Sequence, residues 1–322
     1  MRALQVTALD GPDAVTVADV PEPAAGDGVL FEVRAAGVSF PDVLQARGLY
    51  QARAEPPYVP GVEAAGVVRA APEGSGLRPG DRVAAMTQGG GWAEVAVADP
   101  ALAFPIPEAL DFAQGAGLVL NYHTALFALV TRGRLRAGET VLVHGAAGGV
   151  GTATLQIARG LGARTIAVVS TDEKERVARE AGADEVVRSG GAWRDEAREL
   201  TDGGVDVVVD PVGGDRFVDS LRALREGGRL VVVGFTAGSI PEVRVNRLLL
   251  RNLDVVGAGW GAWMAAHPDD GRAIGERVHR LADDGVVRPV VGARFPLEAA
   301  ADAMRLVEGR GALGKVVLDV AA

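Results

Sequence analysis

The hydrophobic rhythm of the chain changes near residue 140. Beyond it, short β-branched runs alternate with stretches whose apolar residues recur at helical spacing, the pattern of parallel βαβ units. Six strands are predicted, at 140–145 (TVLVHG), 165–170 (TIAVVS), 184–189 (DEVVRS), 205–212 (VDVVVDPV), 229–235 (RLVVVGF) and 253–259 (LDVVGAG). Such a series predicts one doubly wound sheet in an α/β fold. Between the first two strands Val150, Thr154, Ile157 and Leu161 share a helical face, with Gly160 and Gly162 as its stop.

Residues 1–120 follow another rhythm. Short apolar runs broken by Gly and Pro, such as RALQVTAL (2–9), GVLFEVRAAGV (28–38), AAGVVRAAP (64–72), DRVAAMT (81–87) and AEVAVAD (93–99), predict a mainly β, barrel-like domain. The tail beyond 260 has helical stretches and ends in GKVVLDV (314–320), a strand with no place in a sheet already six strands wide. It is expected to return to the first domain. The expected division is therefore a dinucleotide-binding domain at 121–260 and a discontinuous domain of 1–120 with 261–322.

Composition narrows the chemistry. The 322 residues, 48% of them hydrophobic, suffice for two cores. The N-terminus lacks the pattern of a signal or transit peptide, and no apolar run approaches the ~20 residues that span a bilayer. A cytoplasmic protein without a membrane partner is expected. Cysteine is absent, which removes disulfides, thiolate nucleophiles and cysteine zinc ligands. The four histidines, His123, His144, His267 and His279, lack close ligand spacing, so no metal site is expected. A net charge of −9 argues against a nucleic-acid surface and for a small-molecule partner.

The candidate chemistry begins at GAAGGVG (145–151), between the first strand and its helix. The G-x-G-x-x-G frame falls on Ala146, Gly148 and Gly151, and alanine suits the first place if its φ is negative, with Gly145 and Gly149 supplying freedom beside it. Together with Ala147 and Val150, this turn is expected to hold a pyrophosphate on the helix N-terminus. The competing reading is a tight strand-to-helix turn without a nucleotide. The end of the second strand, VVSTDEKER (168–176), decides between NAD and NADP. There Ser170 ends the strand. Asp172 either accepts ribose hydroxyls or serves the first turn of a helix capped by a Ser170–Glu173 box. Lys174, one of two lysines, either reaches a 2′-phosphate or is solvated.

Over nearly its full length the chain resembles the zinc-free quinone oxidoreductase branch of the medium-chain dehydrogenase/reductase superfamily, the group containing NADPH:quinone reductases and ζ-crystallin. The resemblance rests on AAGVSFPDVLQARGLY (35–50), PYVPGVEAAGVV (57–68), GDRVAA (80–85), LVHGAAGGVG (142–151), LGARTIAVVSTDEKERVAREAGADEVV (161–187), VVVDPVGG (207–214) and GKVVL (314–318). It implies a Rossmann domain beside a GroES-like, mainly β catalytic domain, with NADPH as cofactor. By position, Gly148, Gly149, Val150 and Gly151 fall on the phosphate turn, Lys174 on the 2′-phosphate, and Arg310 on a further phosphate contact. Asn121, Thr124, Gly234 and Phe235 fall near the nicotinamide. Arg188-Ser189 replaces an Asn-Tyr pair of many members, and Arg188 is read as compensating by charge.

Zinc-dependent relatives carry a Cys in the first of these segments and Gly-His-Glu in the second. Here Ser39 and Asp42 stand in the former and Gly61-Val62-Glu63 in the latter. Without that Lewis acid the chemistry suits an acceptor already electrophilic, a quinone or a conjugated enone. Tyr50 matches a tyrosine of the family's cleft, where it either donates a hydrogen bond or forms the wall. Ser39 replaces the usual Asn, and Asp42 is either catalytic or a helix-start residue. Asn121 is either a cofactor contact or the N-cap of a helix beginning there. His123 is read as a structural donor. Trp260, with Trp263, is either an acceptor wall or core. A short-chain-type Tyr-x-x-x-Lys pair is excluded, because Ala54, Val62 and Leu126 follow the three tyrosines. The resemblance also implies a homodimer paired through LDVVGAG. Two alternatives stay open: an enoyl or alkenal reductase acting on acyl thioesters, and a noncatalytic NADPH-binding protein of the ζ-crystallin kind.

Overall fold

A computed structural model describes residues 1–320. The chain divides into two compact units, Met1–Leu120 together with the segment from His267 onward, and Asn121–Ala266. In chain order the strands of the first unit are β1 (Arg2–Val6), β2 (Val15–Asp19), β3 (Val29–Val38), β4 (Glu63–Ala70), β5 (Arg82–Met86), β6 (Val95–Ala98) and β7 (Ala103–Pro105). The second unit contains β8 (Thr140–His144), β9 (Arg164–Val169), β10 (Glu185–Arg188), β11 (Val205–Asp210), β12 (Leu224–Val232) and β13 (Asp254–Gly257). β14 (Val291–Pro296) and β15 (Lys315–Asp319) belong to the first unit again. The helices are α1 (Phe40–Ala46), α2 (Phe112–Leu126), α3 (Gly149–Gly160), α4 (Asp172–Glu180), α5 (Trp193–Glu199), α6 (Phe217–Ala223), α7 (Asn246–Leu249), α8 (Trp260–Ala266), α9 (Pro268–Asp283) and α10 (Ala300–Glu308).

The first unit is the mainly β one. Its sheet runs β14-β15-β3-β4-β5-β7, with β6 also on β3, and β1 and β2 form a separate antiparallel pair. β3 alternates as a half-buried strand should: Val29, Phe31 and Val33 are buried while Leu30, Glu32 and Arg34 are less so. The C-terminal strand β15 pairs antiparallel with β3 and parallel with β14. This brings the starts of β4 and β15 to the end of β3, where a polar cluster sits. Three short strands at sheet edges, β2, β7 and β14, are not marked in the sequence pattern.

The second unit is the doubly wound α/β domain. Its six strands lie in the order β10-β9-β8-β11-β12-β13, all parallel. The winding reverses between β8 and β11, so the carboxyl ends of these two strands form the switch point at which such sheets take ligands. β11 is buried along its whole length, as expected of a central parallel strand covered on both faces.

Two helix starts differ from the sequence reading. α2 begins at Phe112, and a reciprocal Asp111–Gln114 box caps it: the Gln114 amide donates to Asp111 Oδ1 at 2.7 Å and the Asp111 amide to Gln114 Oε1 at 3.2 Å. Asn121 is therefore mid-helix and caps nothing. At α4 the cap is Thr171 rather than Ser170, its hydroxyl accepting the Lys174 amide at 3.2 Å. No helix among the described residues is long and apolar enough to cross a membrane.

Candidate functional site

In the second unit the polar possibilities gather at the switch point. Three roles that glycine plays in a dinucleotide turn are divided here between Gly145, Gly148 and Gly151. Gly145 takes the left-handed conformation, φ 57°, so Ala146 is left with an ordinary backbone. Gly148, the N-cap of α3, has φ −85°, and a Cβ there would meet only the Gly145 carbonyl oxygen, at 3.4 Å, so one side of its backbone stays open. Gly151 is packed the opposite way: a Cβ would collide with the Gly145 carbonyl and with the Ala146 backbone. Ala147 is buried beneath the turn. The first amides of α3, at Gly149, Val150 and Gly151, have no intrahelical acceptor and carry the positive end of the helix dipole.

Other predicted residues surround this turn. The Asn121 side chain lies against Gly149, where a Cβ would strike its amide, and Thr124 is buried one turn further along α2. Gly145 faces Val212, and Gly213 faces the Phe235 ring beside Gly234, so the ends of β8, β11 and β12 converge. Sequence reasoning missed Asp210, which holds the middle of this group: its Oδ1 accepts the Val212 and Gly213 amides at 2.8 and 2.9 Å. Burial pushes the Asp210 carboxyl above its usual range, against those two amides. Trp260 is buried against Phe127, ring centroids 5.2 Å apart, and edge-on to His123, so it is a core side chain of this unit.

At the end of β9, Ser170 is exposed and Lys174 half-buried. Arg188 differs from the expectation of a guanidinium waiting for phosphate. It already donates to Asp172 at 2.6 Å and to Glu175 at 2.5 Å. Asp172 thus combines a first-turn position with an ion pair. Arg310 belongs to the first unit, exposed after α10 with a left-handed φ of 57°.

In the first unit Ser39, Asp42 and Tyr50 share a neighbourhood with two charges the sequence reading did not select. Glu63 opens β4 and Lys315 opens β15; both are buried, at 0% and 3% exposure, and their side chains form an ion pair. Lys315 Nζ also donates to Ser39 Oγ at 2.5 Å, and Glu63 Oε2 accepts the Leu120 amide at 3.1 Å. Gly37 makes room for the pair, since a Cβ there would overlap both side chains. Asp42 caps the start of α1 through the Ser39 amide at 2.8 Å, while its Oδ1 is buried without a well-formed hydrogen bond. Burial pushes the Asp42 carboxyl up to about 7, opposed by the Lys315 ammonium and the Ser39 amide. Partial burial and then the Asp42 charge raise Tyr50, and the same causes push Tyr58, whose hydroxyl is buried without a partner among the described residues, up to about 12. The one available signal for the missed pair was a charge at the head of an otherwise apolar run, in GVEAAGVV and GKVVL.

Among the described residues no three His, Cys, Asp or Glu side chains are grouped to share a metal ion.

Two family descriptions match the chain, "Alcohol dehydrogenase GroES-like domain" over residues 25–108 and "Zinc-binding dehydrogenase" over residues 149–274. Quinone oxidoreductase-like protein 2 of Bos taurus is 37% identical over 93% of this chain and 87% of its own. A probable oxidoreductase from Mycobacterium abscessus is 46% identical, with a TM-score of 0.90 over 99% of both chains. The quinone oxidoreductase from Thermus thermophilus, whose structures include a complex with NADPH, is 35% identical with a TM-score of 0.86 over 99% of this chain and 100% of its own. Fold and relatives define a medium-chain dehydrogenase/reductase, and within that superfamily the chain belongs to the zinc-free quinone oxidoreductase branch. It is an enzyme of the oxidoreductase class.

Proposed function

We propose that the chain is an NADPH-dependent oxidoreductase that reduces a quinone or conjugated enone without a metal. The observation that carries this reading is the turn at 145–151, where the open backbone of Gly148 and the unpaired amides at the start of α3 fit a pyrophosphate. Ala147, Gly149, Val150 and Gly151 complete that cradle. Ser170, Lys174 and Arg188 take the adenosine 2′-phosphate, with Arg310 as a further phosphate contact. Asn121, Thr124, Gly234 and Phe235 border the nicotinamide, which supplies the hydride. The NADPH complex of the Thermus relative supports the choice of cofactor.

On the acceptor side the residues are Ser39, Asp42 and Tyr50. Burial and the neighbouring Asp42 keep the Tyr50 hydroxyl protonated, so it can donate to negative charge building on the acceptor oxygen as hydride arrives. Ser39, which accepts from Lys315 and donates to Glu63 Oε1 at 3.2 Å, acts by holding that charged pair in place. Trp260 is core support of the second unit rather than an acceptor wall. The chain acts as a cytoplasmic homodimer. Its edge strand β13 is exposed, and Ile240, Val245, Leu249 and Leu250 are apolar and exposed in the same unit, the features of a face covered by a second copy. Sedimentation that reads a single chain would overturn the dimer.

The test of function is NADPH oxidation against quinones, enones and enoyl thioesters, with NADH in parallel. Turnover of a quinone or enone is expected. Turnover of enoyl thioesters alone would reassign the substrate, and tight NADPH binding with no turnover would contradict the assigned reaction.

A further inference from the structure

At the carboxyl end of β9 an acid and a cation already occupy each other. Arg188 closes β10 with its Cα paired to Val169, so its side chain starts beside the strand end at which a dinucleotide's 2′ position is read. Its Nη2 donates to Asp172 Oδ1 at 2.6 Å and to Glu175 Oε2 at 2.5 Å. The two acids are held very differently. Glu175 is only 28% exposed and is gripped from its other side, Oε1 accepting from Arg179 Nε at 2.9 Å one turn along α4. Asp172 is fully exposed at the first position of α4, and its ion pair among the described residues is with Arg188.

We propose that Asp172 is an internal competitor of the 2′-phosphate. It holds Arg188 when the position carries a ribose hydroxyl or nothing, and yields it to a phosphate. Glu175, pinned by Arg179, keeps the guanidinium beside the strand end in both states. The proposal rests on the reading of the 145–151 turn as the NADPH site. A phosphate brings more charge and more acceptor oxygens to a guanidinium than one carboxylate does. The exposed pair it displaces is weak. Two consequences follow for the enzyme: it uses NADH as well as NADPH, with a blunted preference for the latter, and salt weakens NADPH binding more than NADH binding.

NADPH and NADH are titrated into the wild type, Asp172→Asn, Arg188→Gln and the double variant, at low and high salt. Asp172→Asn is expected to tighten NADPH about fivefold, the order of one exposed ion pair, without tightening NADH. That gain disappears in the Arg188→Gln background. An unchanged NADPH/NADH affinity ratio in Asp172→Asn overturns the proposal. So does an equal gain with Arg188 removed, which would mean plain charge repulsion. Failure of the wild type to bind either dinucleotide overturns the cofactor reading itself, an outcome distinct from an unaltered ratio.

Discussion

Replacing Lys315 by Met, which keeps the length of the side chain and removes its charge, tests what holds the strand ends of the first unit together. Glu63 has 0% exposure, and its charge is balanced by Lys315 at 3%. After Lys315→Met the carboxylate keeps two neutral donors, the Leu120 amide at 3.1 Å and the Ser39 hydroxyl at 3.2 Å, and loses its cation. Ser39 loses its donor at 2.5 Å in the same step. Breaking one side of a buried ion pair costs about 3–5 kcal/mol, whereas replacing both sides by neutral groups of similar volume is often close to neutral. Lys315→Met and Glu63→Gln should therefore each destabilise the first unit by about 3–5 kcal/mol, and the double variant should recover most of it. Because two units need not unfold together, hydrogen exchange read by strand is the suitable assay. Amides of β4 and β15 should lose roughly 10²- to 10⁴-fold protection in each single variant, with β8 and β11 unaffected. Additive losses in the double variant, or a change under about tenfold in Lys315→Met, would refute the claim that the pair is coupled and buried.

Asp42 and His144 give the two units pH dependences of opposite sign. A carboxyl moved from 3.8 to about 7 binds a proton more readily folded than unfolded, so its contribution falls as pH rises from about 4 to 7, by about 4 kcal/mol at most. Asp42→Asn should flatten that slope for the first unit, measured as melting temperature against pH. Burial holds His144 near 3, below its ordinary 6.5, with Nε2 2.8 Å from Ser220 Oγ; this stabilisation is present above pH 6.5 and is lost as pH falls toward 3. Ser220→Ala, which strips that partner, should cost the second unit about 1–3 kcal/mol in thermal melts at neutral pH. Gly151→Ala should cost about 1–3 kcal/mol or distort the turn, because its Cβ meets backbone rather than a movable side chain.

The second unit was legible in the sequence because its central strands β8, β9 and β11 are buried β-branched runs and its helices repeat every third or fourth residue. Strand ends shifted by a few residues, as at β12, which begins at Leu224 rather than at the predicted 229. Local capping was harder to read. Ser170 and Thr171 are adjacent hydroxyls with equal credentials, and only the backbone angle of Thr171 decides between them. The start of α2 was hidden because the Asp111–Gln114 box lies in a stretch whose glycines, at 115 and 117, break the helical signal. The glycine turn itself read correctly as a shape, but the left-handed residue proved to be Gly145, outside the frame. Contacts between distant segments were the least legible. Lys315 meets Glu63 across 252 positions, and Arg188 meets Asp172 and Glu175 from the next strand, so neither pairing has a local spacing to reveal it.

Whether the turn at 145–151 binds NADPH is tested by direct titration of the dinucleotide into wild type and Gly148→Val. Gly148 has an ordinary φ of −85° and an open side, so valine there should fold with an unchanged melting temperature while filling the space assigned to the pyrophosphate. Saturable NADPH binding is expected of the wild type, and a loss of about a hundredfold or more in the variant, on the order of 3 kcal/mol. Equal NADPH affinity in the two proteins would contradict a pyrophosphate seated on this turn.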